Sequence, residues 1–98
     1  MIKRIQDLTK EDKERYFDAI KKDIEKMGTP WKVMEKRIQD DLDQVFDDEA
    51  FLKMDPDFQI DAVLCRKEFG KNKPSIIDYM LWSGKLVTGS EYVEIPDQ

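Results

Sequence analysis

Asp40, Asp43 and Asp47 recur at spacings of three and four, so a helix through this stretch brings their carboxylates to one face. Three carboxylates so placed suit a hard divalent cation such as magnesium, which takes oxygen ligands. The sequence offers no second acid-bearing element to complete that sphere, and like charges at this spacing repel unless neutralised. The expectation is therefore a solvated acidic face rather than a metal site. An EF-hand loop starting at Asp41 fails at two positions: Phe46 stands where the turn needs glycine, and Leu52 where a bidentate glutamate is required.

The remaining catalytic repertoire is thin. The chain has no histidine and one cysteine, Cys65, which excludes an imidazole base, a Ser-His or Cys-His dyad, a thiolate cluster and an internal disulfide. Cys65 follows Val63 and Leu64 and reads as a small buried residue, although Arg66 and Lys67 beside it would activate an exposed thiol. Glycines 28, 70, 84 and 89 are scattered, so no loop of the Walker or dinucleotide type cradles a phosphate. The reading is a non-enzymatic protein with no cofactor.

Charge is distributed unevenly. The net charge is -5, yet residues 40–61 carry nine acidic side chains against one basic, while residues 1–39 and 62–90 are each net positive. An acidic segment of this density steers toward a partner with a basic surface. The expected function is binding to another protein as a regulatory, adaptor or inhibitor domain, through Asp40, Asp41, Asp43, Asp47, Asp48 and Glu49. A specific form is an inhibitor whose acids imitate nucleic-acid phosphates in a basic cleft. Tyr79 and Trp82 join the candidate contact residues, because large aromatics supply much interface energy and their helix looks apolar on more than one side.

An alternative comes from the compact basic cluster Arg66, Lys67, Lys71 and Lys73, with Lys85 further on. It straddles a helix end and loop before a second helix and a β-like ending, the element order of winged-helix DNA-binding domains. The second helix carries Asp78 and almost no side chains able to read base edges, and the chain as a whole is acidic. Nucleic acid is thus the lesser partner.

These groups must be positioned by mostly helical elements. Thr9 caps a helix over 10–27 with Asp12 three residues on; Tyr16, Phe17, Ile20, Ile24 and Met27 follow at helical spacing, and Gly28 supplies the stop. Thr29-Pro30 opens a second helix over 30–48, with Trp31, Met34, Ile38, Leu42 and Val45 along one face. The short joint between them predicts an antiparallel pair. Lys3-Arg4-Ile5-Gln6-Asp7 returns as Lys36-Arg37-Ile38-Gln39-Asp40, but the likeness stops at its own ends and marks no repeat.

Asp55-Pro56-Asp57 opens a third element in which Phe58, Ala62, Cys65 and Phe69 fit a helix closed by Gly70; Phe58, Ile60, Ala62 and Leu64 also alternate like a strand. The cap and stop residues favour helix. Ser75 with Asp78 starts a helix over 75–83 that Gly84 should end, against the rival of a hairpin turn at Ser83-Gly84. Lys85 to Thr88 and Glu91 to Ile95 then predict a C-terminal β-hairpin.

The expected fold is a single small domain over 1–98, mostly α: an antiparallel helix pair, one or two further short helices and the hairpin. The alternative is an α+β fold with a three-stranded antiparallel sheet. Apolar runs reach only four residues, which predicts neither a signal peptide nor a membrane span, and a cytoplasmic, reducing location. The apolar stripe at Trp31, Met34, Ile38, Val45 and Phe46 and the apolar helix from Ile76 to Trp82 both suggest a homodimer, unless the monomer buries them.

Overall fold

Thr9 opens the first helix, α1 (Lys10–Lys26), through a reciprocal cap. The Thr9 hydroxyl accepts from the Asp12 N–H at 3.1 Å, and the Asp12 carboxylate accepts from the Thr9 N–H at 3.1 Å. The structure is a computed structural model and describes residues 1–97. Gly28, at φ +92°, ends α1 in a conformation that other residues resist. Trp31 then stands edge-on to Phe17 with ring centroids 5.2 Å apart. Phe17 lies about 14 Å back along α1 at the usual helical rise, so the chain reverses at this joint.

The second helix, α2 (Trp31–Val45), stops short of residue 48. Asp47 takes an extended conformation and caps a separate short helix, α3 (Asp48–Leu52), by accepting from the Ala50 N–H at 2.9 Å. An acid able to leave the helix and satisfy an orphan N–H competes with continuing it. Asp55 caps α4 (Pro56–Phe69), with proline in its first turn and Gly70 at φ +65° closing it. Ser75 caps α5 (Ile76–Thr88), its hydroxyl accepting from the Asp78 N–H at 3.2 Å. Residues 58–64 and 76–82 are thus helical, and the mostly α fold class is that of the molecule.

The C-terminal hairpin is overturned, and with it the three-stranded alternative. Lys85 to Thr88 continue α5 through Gly84, and Gly89, at φ +71°, takes the left-handed cap instead. One interior glycine costs a helix only about 1 kcal/mol, which packing of the preceding apolar turns offsets. The expected second strand exists, but its partner is at the other end of the chain. Tyr92–Glu94 (β2) pairs antiparallel with Ile2–Arg4 (β1), Lys3 standing opposite Val93. The Ile5 N–H donates to the Glu91 carbonyl at 2.8 Å and the Ile95 N–H to the Met1 carbonyl at 2.7 Å, extending the pairing at both ends. A 3₁₀ turn at Ile5–Asp7 leads from β1 toward α1.

Gly84 tests this correction. A methyl group there would meet nothing within 4 Å. Gly84→Ala is therefore expected to stabilise the protein by about 0.5–1 kcal/mol, the usual gain at a helix-interior glycine with room for a methyl group. Urea denaturation measures it; a loss of stability would mean that a turn, not a helix, occupies residues 83–85 in solution.

The core joins the helices that flank the acidic segment. Leu42 and Val45 of α2, Ala62 and Cys65 of α4, Leu81 of α5 and Ile95 beyond β2 are buried. Phe46, Phe51, Met54, Phe69, Tyr79 and Trp82 pack against the cluster of Val45, Ala62 and Cys65. Burial pushes the Cys65 thiol upward from its ordinary range, as does Glu68 nearby, so this cysteine is a core residue and not an activated nucleophile.

Candidate functional site, an acidic corner between the second and third helices

Leu42 and Val45 turn one side of α2 into the core, and this sets the outward direction of the acids between and beyond them. Asp40, Asp43, Asp47, Asp48 and Glu49 are exposed, whereas Asp41 is half-buried. Asp41 lies on the side facing Tyr79, whose phenol is raised by burial first and then by Cys65, Asp41 and Asp61. All six predicted acids occupy the end of α2 and the start of α3, and Asp47 doubles as the α3 cap.

Two members of the basic cluster predicted as a nucleic-acid grip, Lys73 and Arg66, lie against this corner as counter-ions. Lys73 Nζ lies 2.6 Å from an Asp43 oxygen, and that ammonium, with a hydrogen bond from Gln39, holds the Asp43 carboxyl below its usual range. Arg66 Nε donates to the Val45 carbonyl at 2.6 Å and Arg66 Nη1 to Asp48 at 3.1 Å, while the guanidinium sits 4.2 Å over the Phe51 ring. Arg66 thus ties α4 to the end of α2 and the start of α3. On the other side of the corner Lys36 approaches Asp40 at 3.5 Å.

Lys85 points elsewhere, 3.8 Å from Glu91. Lys67 and Lys71 are exposed and have no ion-pair partner among the described residues. Of the two-stranded wing that the DNA-binding reading expects, residues 85–88 are helix, while Tyr92–Glu94 is a strand paired with Ile2–Arg4. Which base would face which acid depends on α4 docking against α2, and the sequence carries no local sign of that.

Tyr79 and Trp82 are half-buried. Their rings lie 5.9 Å apart, and Trp82 meets Phe69 edge-on at 6.0 Å, all against the core cluster. Trp82 also lines a cavity of about 290 Å³ with Ile5, Phe69 and Leu81. Two internal ion pairs line it as well, Lys13 with Asp78 at 3.0 Å and Arg4 with Glu91 at 3.5 Å. Each cation lining the cavity, Lys85 included, is thereby engaged by an acid of the protein.

Among the described residues, no three acidic, cysteine or histidine side chains gather to hold a metal ion. Asp40, Asp43 and Asp47 part company because the last has left the helix. No helix of the described residues is long and apolar enough to cross a membrane. Comparison with protein-family models, with curated proteins and with solved structures gives no match.

Proposed function

We propose that this chain is a non-enzymatic binding domain, a regulator, adaptor or inhibitor, whose acidic corner at α2 and α3 docks on a basic surface of another protein. The observation that carries this reading is the exposure of Asp40, Asp43, Asp47, Asp48 and Glu49 together on one corner, with too few cations to cover them. Asp48 is 92% exposed even while it contacts Arg66. Exposed ion pairs of this kind are worth only about 0–1 kcal/mol, so arginines or lysines of a partner displace Lys36 and Lys73 at little cost. Such a corner raises the rate of encounter more than it adds affinity, and its action weakens with salt.

The test is capture from a cell extract at low and moderate salt, comparing the protein with a variant carrying Asp→Asn at 40, 41, 43, 47 and 48 and Glu49→Gln. Asparagine caps helices as well as aspartate, so α3 keeps its start in the variant, and circular dichroism checks this. Partners held at low salt are expected to disappear in the neutralised protein. An unchanged set of partners would show that the acids only keep α2 and α3 soluble.

A further inference from the structure

Helix α4 is apolar on two opposite sides, and only one of them is used. Ala62 and Cys65 are buried and Phe69 packs beside them, while Ile60, Val63 and Leu64 remain 62%, 50% and 39% exposed. The two stripes predicted to hold a homodimer are, by contrast, partly covered within the monomer: Trp31, Met34, Ile38 and Phe46 are half-buried, Val45 is buried, and in Ile76 to Trp82 Leu81 is buried and the other apolar residues are half-buried. Leu86 and Val87 at the far end of α5 and Val33 on α2 are exposed too, but outside those stripes; on α4, Ile60, Val63 and Leu64 are exposed within a single turn of each other.

We infer that the outer face of α4 pairs antiparallel with α4 of a second copy. Asp57, Ile60, Leu64 and Lys67 follow one another at spacings of three, four and three, which is a single seam of a helix pair. The seam has an acid at its N-terminal end and a base at its C-terminal end. Inverting one helix on the other places Asp57 opposite Lys67 and Ile60 opposite Leu64, and a two-fold axis makes each contact twice. Neither Asp57 nor Lys67 has an ion-pair partner among the described residues, so both are open to such a contact.

This order of charge is what selects a second copy over an unrelated partner: the seam is complementary to itself, and only when inverted. Val63 of each copy flanks the axis and adds apolar area. Asp61, on the other flank, meets its own copy and keeps the association weak, so it depends on concentration. The inference is independent of the acidic corner, which lies on α2 and α3.

Sedimentation equilibrium over a hundredfold concentration range tests it. The apparent mass is expected to rise from 11.7 kDa toward twice that value. Ile60→Lys should hold the mass at the monomer value, with helicity unchanged by circular dichroism because the side chain is on the surface. Lys67→Glu should weaken association by roughly tenfold or more through two like-charge contacts, and the reversal Asp57→Lys with Lys67→Glu should restore it. A monomer at every concentration, a dimer that survives Ile60→Lys, or a charge reversal that fails to restore association would each overturn the antiparallel pairing.

Discussion

Ile95→Ala is expected to destabilise the protein by about 2–5 kcal/mol, the usual cost of emptying a large aliphatic side chain from a closed core. Ile95 is completely buried, one residue past the end of β2 and three before the last residue of the chain. Its N–H donates to the Met1 carbonyl, so the backbone is fixed on one side and the side chain on the other. The two-stranded sheet has no hydrophobic interior of its own. Strands of three residues in a lone pair are at best marginal in water, so this one depends on contacts outside itself, the burial of Ile95 at its end and the Lys3–Asp12 pair at 2.7 Å. A domain of this size has a total stability of roughly 5–15 kcal/mol, so the loss takes a large share of it. Each kcal/mol corresponds to about 4–8 °C in the melting temperature. Thermal and urea denaturation of the variant measure both. A cost below about 1 kcal/mol would mean that residues 92–95 are not docked in solution and that α1 to α5 stand alone.

The helical elements were legible because their starts and stops are chemical. The Thr9–Asp12 box, Gly28, Asp55-Pro56, Gly70 and Ser75 with Asp78 each act within four residues, and each stands where the pattern puts it. Two boundaries were misread for the same reason. Asp47 and Gly84 carry competing signals, a helix-face acid against a cap and a stop against a tolerated interior glycine; Asp47 acts as the cap of α3, and Gly89 takes the stop that Gly84 does not. The alternation at Phe58, Ile60, Ala62 and Leu64 resembled a strand because α4 is apolar on both faces. Ala62 goes inward, while Ile60 and Leu64 go outward.

Non-local pairing was not legible at all. Tyr92, Val93 and Ile95 announce extended structure, but nothing in their neighbourhood says that the partner is Ile2 to Arg4 rather than Lys85 to Thr88. The site divides in the same way. That Asp40 and Asp43 face outward follows from the helical spacing of Leu42 and Val45; that Asp47 leaves the helix, and that Arg66 and Lys73 lean on the acids, follows only from the docking of α3 and α4 beside α2.

Asp12 gives the last expected result, a stability that falls in acid for an identifiable reason. Asp12 is buried, accepts from the Thr9 N–H, and lies 2.7 Å from the Lys3 ammonium of β1. The hydrogen bond from Lys3, followed by that from the Thr9 backbone, lowers its pKa from 3.8 to about 2. A carboxylate whose folded pKa lies below its unfolded one binds fewer protons when folded. The stability it supplies is complete above about pH 4 and is lost as the pH falls through the folded value near 2. Asp12→Asn keeps an oxygen for the Thr9 N–H but loses the charge that holds Lys3. At pH 7 the variant is therefore expected to be less stable than the parent, and the difference should shrink steadily between about pH 4 and pH 2 as the parent carboxylate protonates. Urea denaturation of both proteins across that range reads the difference directly. A difference independent of pH would show that Asp12 acts only as a cap. A difference that vanishes in acid would place it as the ionic link through which α1 holds β1, and through β1 the strand that carries Ile95 into the core.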